Sequence, residues 1–118
     1  MKGYLKTTAG FLLSATMASV SHADVTIGEL QGFTGPLESM IGAMSGGANL
    51  AVTEANASGN YLQGTINVVQ GDSVCIDPAV AIAQAEKMIN DDNVMAIMGP
   101  NCSGNTGAVI TNVLVPNG

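Results

Sequence analysis

The sequence predicts an α/β fold, a doubly wound parallel sheet with helices on both faces. Three observations carry this expectation. Strand-like and helix-like stretches alternate three times between Val25 and Leu114, as a parallel sheet joined by crossover helices requires. Val94-Met95-Ala96-Ile97-Met98 is apolar without alternation, which suits a strand covered on both faces. Turn-forming pairs, Gly35-Pro36, Gly71-Asp72 and Gly99-Pro100, punctuate the pattern.

The elements follow in order. Val25 to Leu30 is rich in β-branched residues and reads as the first strand, stopped by Gly32, Gly35 and Pro36. A helix is expected from Glu38 or Ser39 to about Ala55, with Met40, Met44, Ala48, Ala51 and Ala55 as its inward stripe. Gly42, Gly46 and Gly47 are expected to let that helix approach the sheet closely. Asn56 to Asn60 forms the exit, and Thr65 to Val69 is the second strand. Asp77 followed by Pro78 is an N-cap with proline in the first helical position. The helix it opens runs to about Asn90 and buries Ala81, Ile82, Ala85, Met88 and Ile89, with Glu86 and Lys87 facing out. Asp91-Asp92-Asn93 is a solvated turn into the third strand, since calcium loops need more oxygen ligands at set intervals. A third helical segment is expected from Gly107 to about Leu114, ended by Val115-Pro116-Asn117-Gly118. Three strands are few for an open sheet, and the third leaves an apolar edge unless a fourth pairs with it. The chain therefore reads as part of a longer domain.

The first segment has a different character. Lys2 and Lys6 precede an apolar run from Ala9 to Val20, and Ser21-His22-Ala23 supplies the small-x-small pattern of a signal peptidase site. Residues 1–23 are read as a secretory signal peptide, against a buried or membrane-anchoring helix; the run is short for a bilayer. Residues 24–118 form the mature segment.

Charge and histidine content narrow the function. The net charge is −6, and loss of Lys2 and Lys6 makes it more negative, so there is no basic patch for nucleic acid. The chain has no Arg. An anionic ligand group must be held by hydroxyls and backbone N–H groups. The one histidine, His22, lies in the signal segment, which removes Ser–His and Cys–His catalysis and histidine metal ligation. No enzyme activity, no cofactor and no metal are expected. In an exported chain, oxidising conditions favour a disulfide between Cys75 and Cys102 over two inert buried thiols.

A strand order of 2-1-3 reverses the winding between the first and third strands, and ligands bind at such switch points. Two loops then face each other: Gln31 to Glu38, containing Gly35, and Gly99 to Thr106. A carboxylate at the start of the third helix could accept hydrogen bonds from the Ser103 and Thr106 hydroxyls and the N–H groups of Gly104 and Asn105. Alternatively, Ser103 serves only to cap its helix.

These residues resemble a known family, the type I periplasmic binding proteins that deliver branched-chain amino acids and related solutes to ABC importers. The resemblance runs from about Val25 to Gly118. It rests on Gly32-Phe33-Thr34-Gly35-Pro36-Leu37, Gly46-Gly47-Ala48-Asn49-Leu50-Ala51 with Glu54-Ala55-Asn56, Gly71-Asp72 with Cys75 and Asp77-Pro78, Glu86-Lys87-Met88-Ile89-Asn90-Asp91, and Met98-Gly99-Pro100-Asn101-Cys102-Ser103. It implies a two-lobed protein closing on its ligand, of which residues 24–118 are part of the N-terminal lobe. It also implies that Ser103 holds the ligand's α-carboxylate and that Cys75–Cys102 matches the family's disulfide. Met40 falls near the position where the family packs an aromatic side chain on the ligand. The implied function is noncatalytic capture of a small amino acid or amide in the periplasm, followed by docking to an ABC permease of the inner membrane. Two other readings compete: the ligand-binding part of a sensor of the same fold, and, more remotely, a thiol-dependent enzyme using Cys102.

Overall fold

The computed structural model describes residues 23–61 and 64–118. The signal-peptide reading of residues 1–23 lies outside them, except for Ala23.

Three strands, β1 (Val25–Gln31), β2 (Ile66–Asp72) and β3 (Ala96–Met98), form one parallel sheet in the order β2-β1-β3. Helix α1 (Glu38–Ala57) joins β1 to β2, and α2 (Pro78–Asn90) joins β2 to β3. The first crossover steps outward from β1 and the second steps back past it. Right-handed connections then place α1 and α2 on opposite faces of the sheet. The order and the doubly wound class match the expectation.

On the α2 face lies the apolar core, made of Leu30, Ala81, Ala85, Met88, Val109 and Val113 with Ile82, Ile89, Val94, Ile97 and Leu114 packed against it. Two glycines let α2 approach. A Cβ on Gly28 or on Gly71 would come within 2.7 Å of Met88 side-chain atoms, so one buried methionine lies across β1 and β2 where neither strand has a side chain. Asp77 caps α2 as expected, accepting from the Ala79 N–H at 2.9 Å, with Pro78 next. Lys87 and Asp92 pair at 2.7 Å beyond its outer face.

The α1 face is polar. Glu29 is fully buried, and its Oε2 accepts from the Ser45 hydroxyl (3.1 Å) and the Gln70 amide (2.8 Å), while Asn49 donates to the Ser45 hydroxyl oxygen at 3.2 Å. This network turns α1 so that Ile41 and Ser45 point inward. The expected inward stripe is therefore corrected: Met40 and Met44 are exposed. Gly42, Gly46 and Gly47 are corrected too, because a Cβ on any of them would meet nothing within 4 Å. At the far end of α1 the Asn56 side chain donates to the Ile66 carbonyl and accepts its N–H, clamping helix to strand.

Two further expectations change. β3 is covered less than its apolar run implied: Met95 is 76% exposed, Met98 is also open, and β3 pairs only with β1 among the described residues. A groove of about 370 Å³, lined by Ile89, Val94, Met95, Ala96, Ile97 and Leu114, flanks this edge. The last helix also begins earlier and ends later than expected. It starts as α3 (Ser103–Val109), continues through a π-helical stretch (Ile110–Leu114) and closes as α4 (Val115–Asn117). Pro116 lacks an N–H and would crowd the carbonyl four residues back. The wider turn, in which the Val115 N–H bonds the Ile110 carbonyl, accommodates it without ending the helix.

Candidate ligand site

The candidate site lies at the carboxyl ends of the strands, where three loops meet. At the close of β3 the chain turns sharply. Gly99 has φ +114°, and a Cβ there would sit 1.8 Å from the Leu30 carbonyl oxygen, so only glycine lets the loop leave β3 against β1.

Each loop is tied to its neighbours by contacts that span long stretches of chain. Asp72, at the end of β2, accepts from the Thr34 hydroxyl at 2.6 Å, the Thr34 N–H at 3.3 Å and the Val74 N–H at 2.9 Å. Burial raises the Asp72 carboxyl, but hydrogen bonds from the Thr34 hydroxyl and the Val74, Thr34 and Phe33 N–H groups outweigh it and hold the group below the ordinary carboxylate value. Ser73-Val74-Cys75 makes a tight turn, with the Cys75 N–H on the Ser73 carbonyl at 2.6 Å and Val74 at φ +49°, an uncommon conformation for a β-branched residue. The Ser73 N–H reaches the Gln31 carbonyl at 2.7 Å. Cys75 and Cys102 form a disulfide, with their Cα atoms 5.5 Å apart, which leaves Cys102 without the free thiol that the enzyme reading needed. Gly32 packs against that disulfide and donates its N–H to Asn101 Oδ1 at 3.1 Å.

The predicted residues separate into two groups. Ser103 and Gly104 are exposed in the first turn of α3, and the Ser103 hydroxyl has no protein hydrogen bond among the described residues. Cys102, not Ser103, occupies the N-cap position, and no side chain caps the helix; Ser103 is therefore not a capping residue. The first-turn N–H groups precede the ladder and have no intrahelical acceptor, which leaves the Ser103 and Gly104 amides and the Ser103 hydroxyl as open donors. Asn105 and Thr106 are differently employed. Asn105 is 1% exposed and gives its side-chain amide to the Ser73 carbonyl at 2.8 Å, while its backbone N–H, the group expected to reach a ligand, also precedes the ladder but belongs to a buried residue. Thr106 spends its hydroxyl proton between the Pro100 (2.8 Å) and Cys102 (3.0 Å) carbonyls, and its N–H bonds the Cys102 carbonyl at 2.9 Å. This is the local back-bonding that a helical threonine favours, and it corrects Thr106 as an available donor.

Gly35 lies against Val74, whose carbonyl oxygen would be 2.7 Å from a Cβ there. Met40 stands 57% exposed in the first turn of α1, which leads off the Gly35 loop at the same end of the sheet. Sequence reasoning did not single out Asp72, Thr34, Ser73 or Asn101 as crevice residues. Thr34, Asp72 and Asn101 were visible only as parts of loop motifs. Among the described residues no group of three or more His, Cys, Asp and Glu side chains gathers where it could hold a metal ion, and no helix is long and apolar enough to cross a membrane.

Known proteins share this architecture. The Leu/Ile/Val-binding protein BraC3 of Rhizobium johnstonii is 32% identical over 115 residues, covering 97% of this chain and 30% of the relative. The Leu/Ile/Val-binding protein homolog 7 of Brucella abortus is 37% identical over 87 residues, covering 74% of this chain and 21% of the relative. The chain thus spans less than a third of the length of these relatives. Among solved structures, the branched-chain amino acid transporter substrate binding protein LivJ of Streptococcus pneumoniae, in complex with isoleucine, superimposes with a TM-score of 0.71 at 31% identity, covering 79% of this chain and 26% of LivJ. A family model described as periplasmic binding protein matches residues 24–115. Since that match runs through all three strands and every crevice loop, the chain belongs to the periplasmic binding protein family.

Proposed function

We propose that residues 24–118 are the opening part of the N-terminal lobe of a transport receptor, a noncatalytic protein that captures branched-chain amino acids or related small amides. On this reading residues 1–23 direct export and are removed, and the receptor works in the periplasm and hands its cargo to an ABC permease. Domain closure over the ligand supplies the mechanism.

One observation carries the reading: a hydroxyl and two amides, on Ser103 and Gly104, stand open at the start of α3 while the groups around them are committed to bracing the loops. Together they offer donors to a carboxylate without help from a cation, as a chain without Arg requires. The names of the relatives and the isoleucine bound to LivJ support an amino acid as the ligand.

The test is calorimetry on the full-length receptor carrying these residues, against leucine, isoleucine, valine, short amides and urea. Binding of an amino acid at micromolar strength or better is expected, weakened roughly 10- to 100-fold by Ser103→Ala, the loss of one hydrogen bond to a charged group. Unchanged affinity in that variant overturns the role of Ser103, and no binding of any of these solutes overturns the ligand class.

A further inference from the structure

We propose that Asn101 is a positioning residue that sets the gap between the loop after β1 and the loop after β3. The inference rests on reading these two loops as the walls of the ligand crevice. Asn101 Oδ1 accepts the Gly32 N–H at 3.1 Å across 69 residues of sequence, and among the described residues this is the only side-chain hydrogen bond that joins the two loops. The sheet does not do this work. The β1–β3 register ends at Glu29↔Met98, and at Gly99 the chain turns out of the ladder. Beyond that point one side-chain amide keeps the third loop in step with the first.

The fit on both sides of the strut is tight. A Cβ on Gly32 would lie 3.3 Å from Cys75 Cβ and 3.6 Å from Asn101 Oδ1, so Gly32 is wedged between disulfide and strut. Asn101 Nδ2 is buried and has no acceptor among the described residues. The working half of the amide is therefore its oxygen, which the Gly32 N–H orients. Asn101 adjoins Cys102, and Ser103 follows as the first residue of α3. Movement at Asn101 passes to the Ser103 donors through one disulfide-anchored residue.

Leucine and aspartate at position 101 separate the acceptor from the rest of the side chain. Asn101→Leu keeps the branching and removes the acceptor; Asn101→Asp keeps the acceptor. Amide hydrogen exchange read by NMR on the full-length receptor carrying these residues is the measurement. In Asn101→Leu the Gly32 amide is expected to exchange about tenfold faster, the consequence of one lost hydrogen bond. Leu30 and Ile27 should stay unchanged, and the Ser103 and Gly104 amide resonances should shift. Asn101→Asp should hold Gly32 near its original rate. Equal exchange at Gly32 in wild type and Asn101→Leu overturns the proposal, and so does acceleration shared by Leu30, which marks general loosening. If Asn101→Leu does not fold, fast Gly32 exchange in Asn101→Asp overturns it. No ligand is needed, so a receptor that binds no amino acid would sink the transport reading and leave the strut standing.

Discussion

The Asp72 carboxylate collects its donors from two loops, and its charge is part of the fold's stability. Its folded state releases the proton more readily than the unfolded chain. The stabilisation is therefore present above the ordinary value of 3.8 and is lost as pH falls through the lower, folded value. Urea unfolding followed from neutral to acid pH should show this loss, and Asp72→Asn should flatten it while costing roughly 1 kcal/mol at pH 7. An unchanged acid limb in the variant would assign the effect to other carboxylates. Asp72 was legible only as the end of a strand. Its partner Thr34 lies 38 residues away, and no local spacing announces such a pair. Thr106 shows the converse. Its hydroxyl was expected to be an open donor, but in the helix it satisfies the Pro100 and Cys102 carbonyls first, a competition that composition does not display.

Helix ends were read well where a single residue decides them, as with Asp77-Pro78, because capping chemistry is local. Helix phase was not. In α1, two rows satisfy the spacing of three and four, one through Met40 and Met44 and one through Ile41 and Ser45. The choice is made by Glu29 and Gln70 on neighbouring strands, which the helix's own pattern cannot see. The end of the last helix, at α4, was misplaced for a related reason, since a π turn absorbs Pro116 at low cost. α2 is the element on which the core depends most. Met88 is 1% exposed and fills the space over Gly28 and Gly71. Met88→Ala should destabilise the fold by about 2–5 kcal/mol, read from the urea midpoint; a loss under about 1 kcal/mol would mean that the helix settles onto the glycines.

At the scale of the molecule, the alternation of elements and the turn residues between them sufficed for a parallel sheet with right-handed crossovers, whereas the order 2-1-3 was adopted by analogy with flavodoxin-like sheets. The chain matches about a quarter of LivJ, and one wall of a crevice encloses little of a ligand. Calorimetry of residues 24–118 alone with leucine is accordingly expected to show no tight, stoichiometric binding, and tight binding would mean that this segment closes on its ligand unaided. The outward turn of four methionines has a chemical consequence of its own. Met40, Met44, Met95 and Met98 are open to solvent and Met88 is enclosed. Mild peroxide should convert the first four to sulfoxides, each marked by one added oxygen in a peptide mass map, and spare Met88 for as long as the chain stays folded.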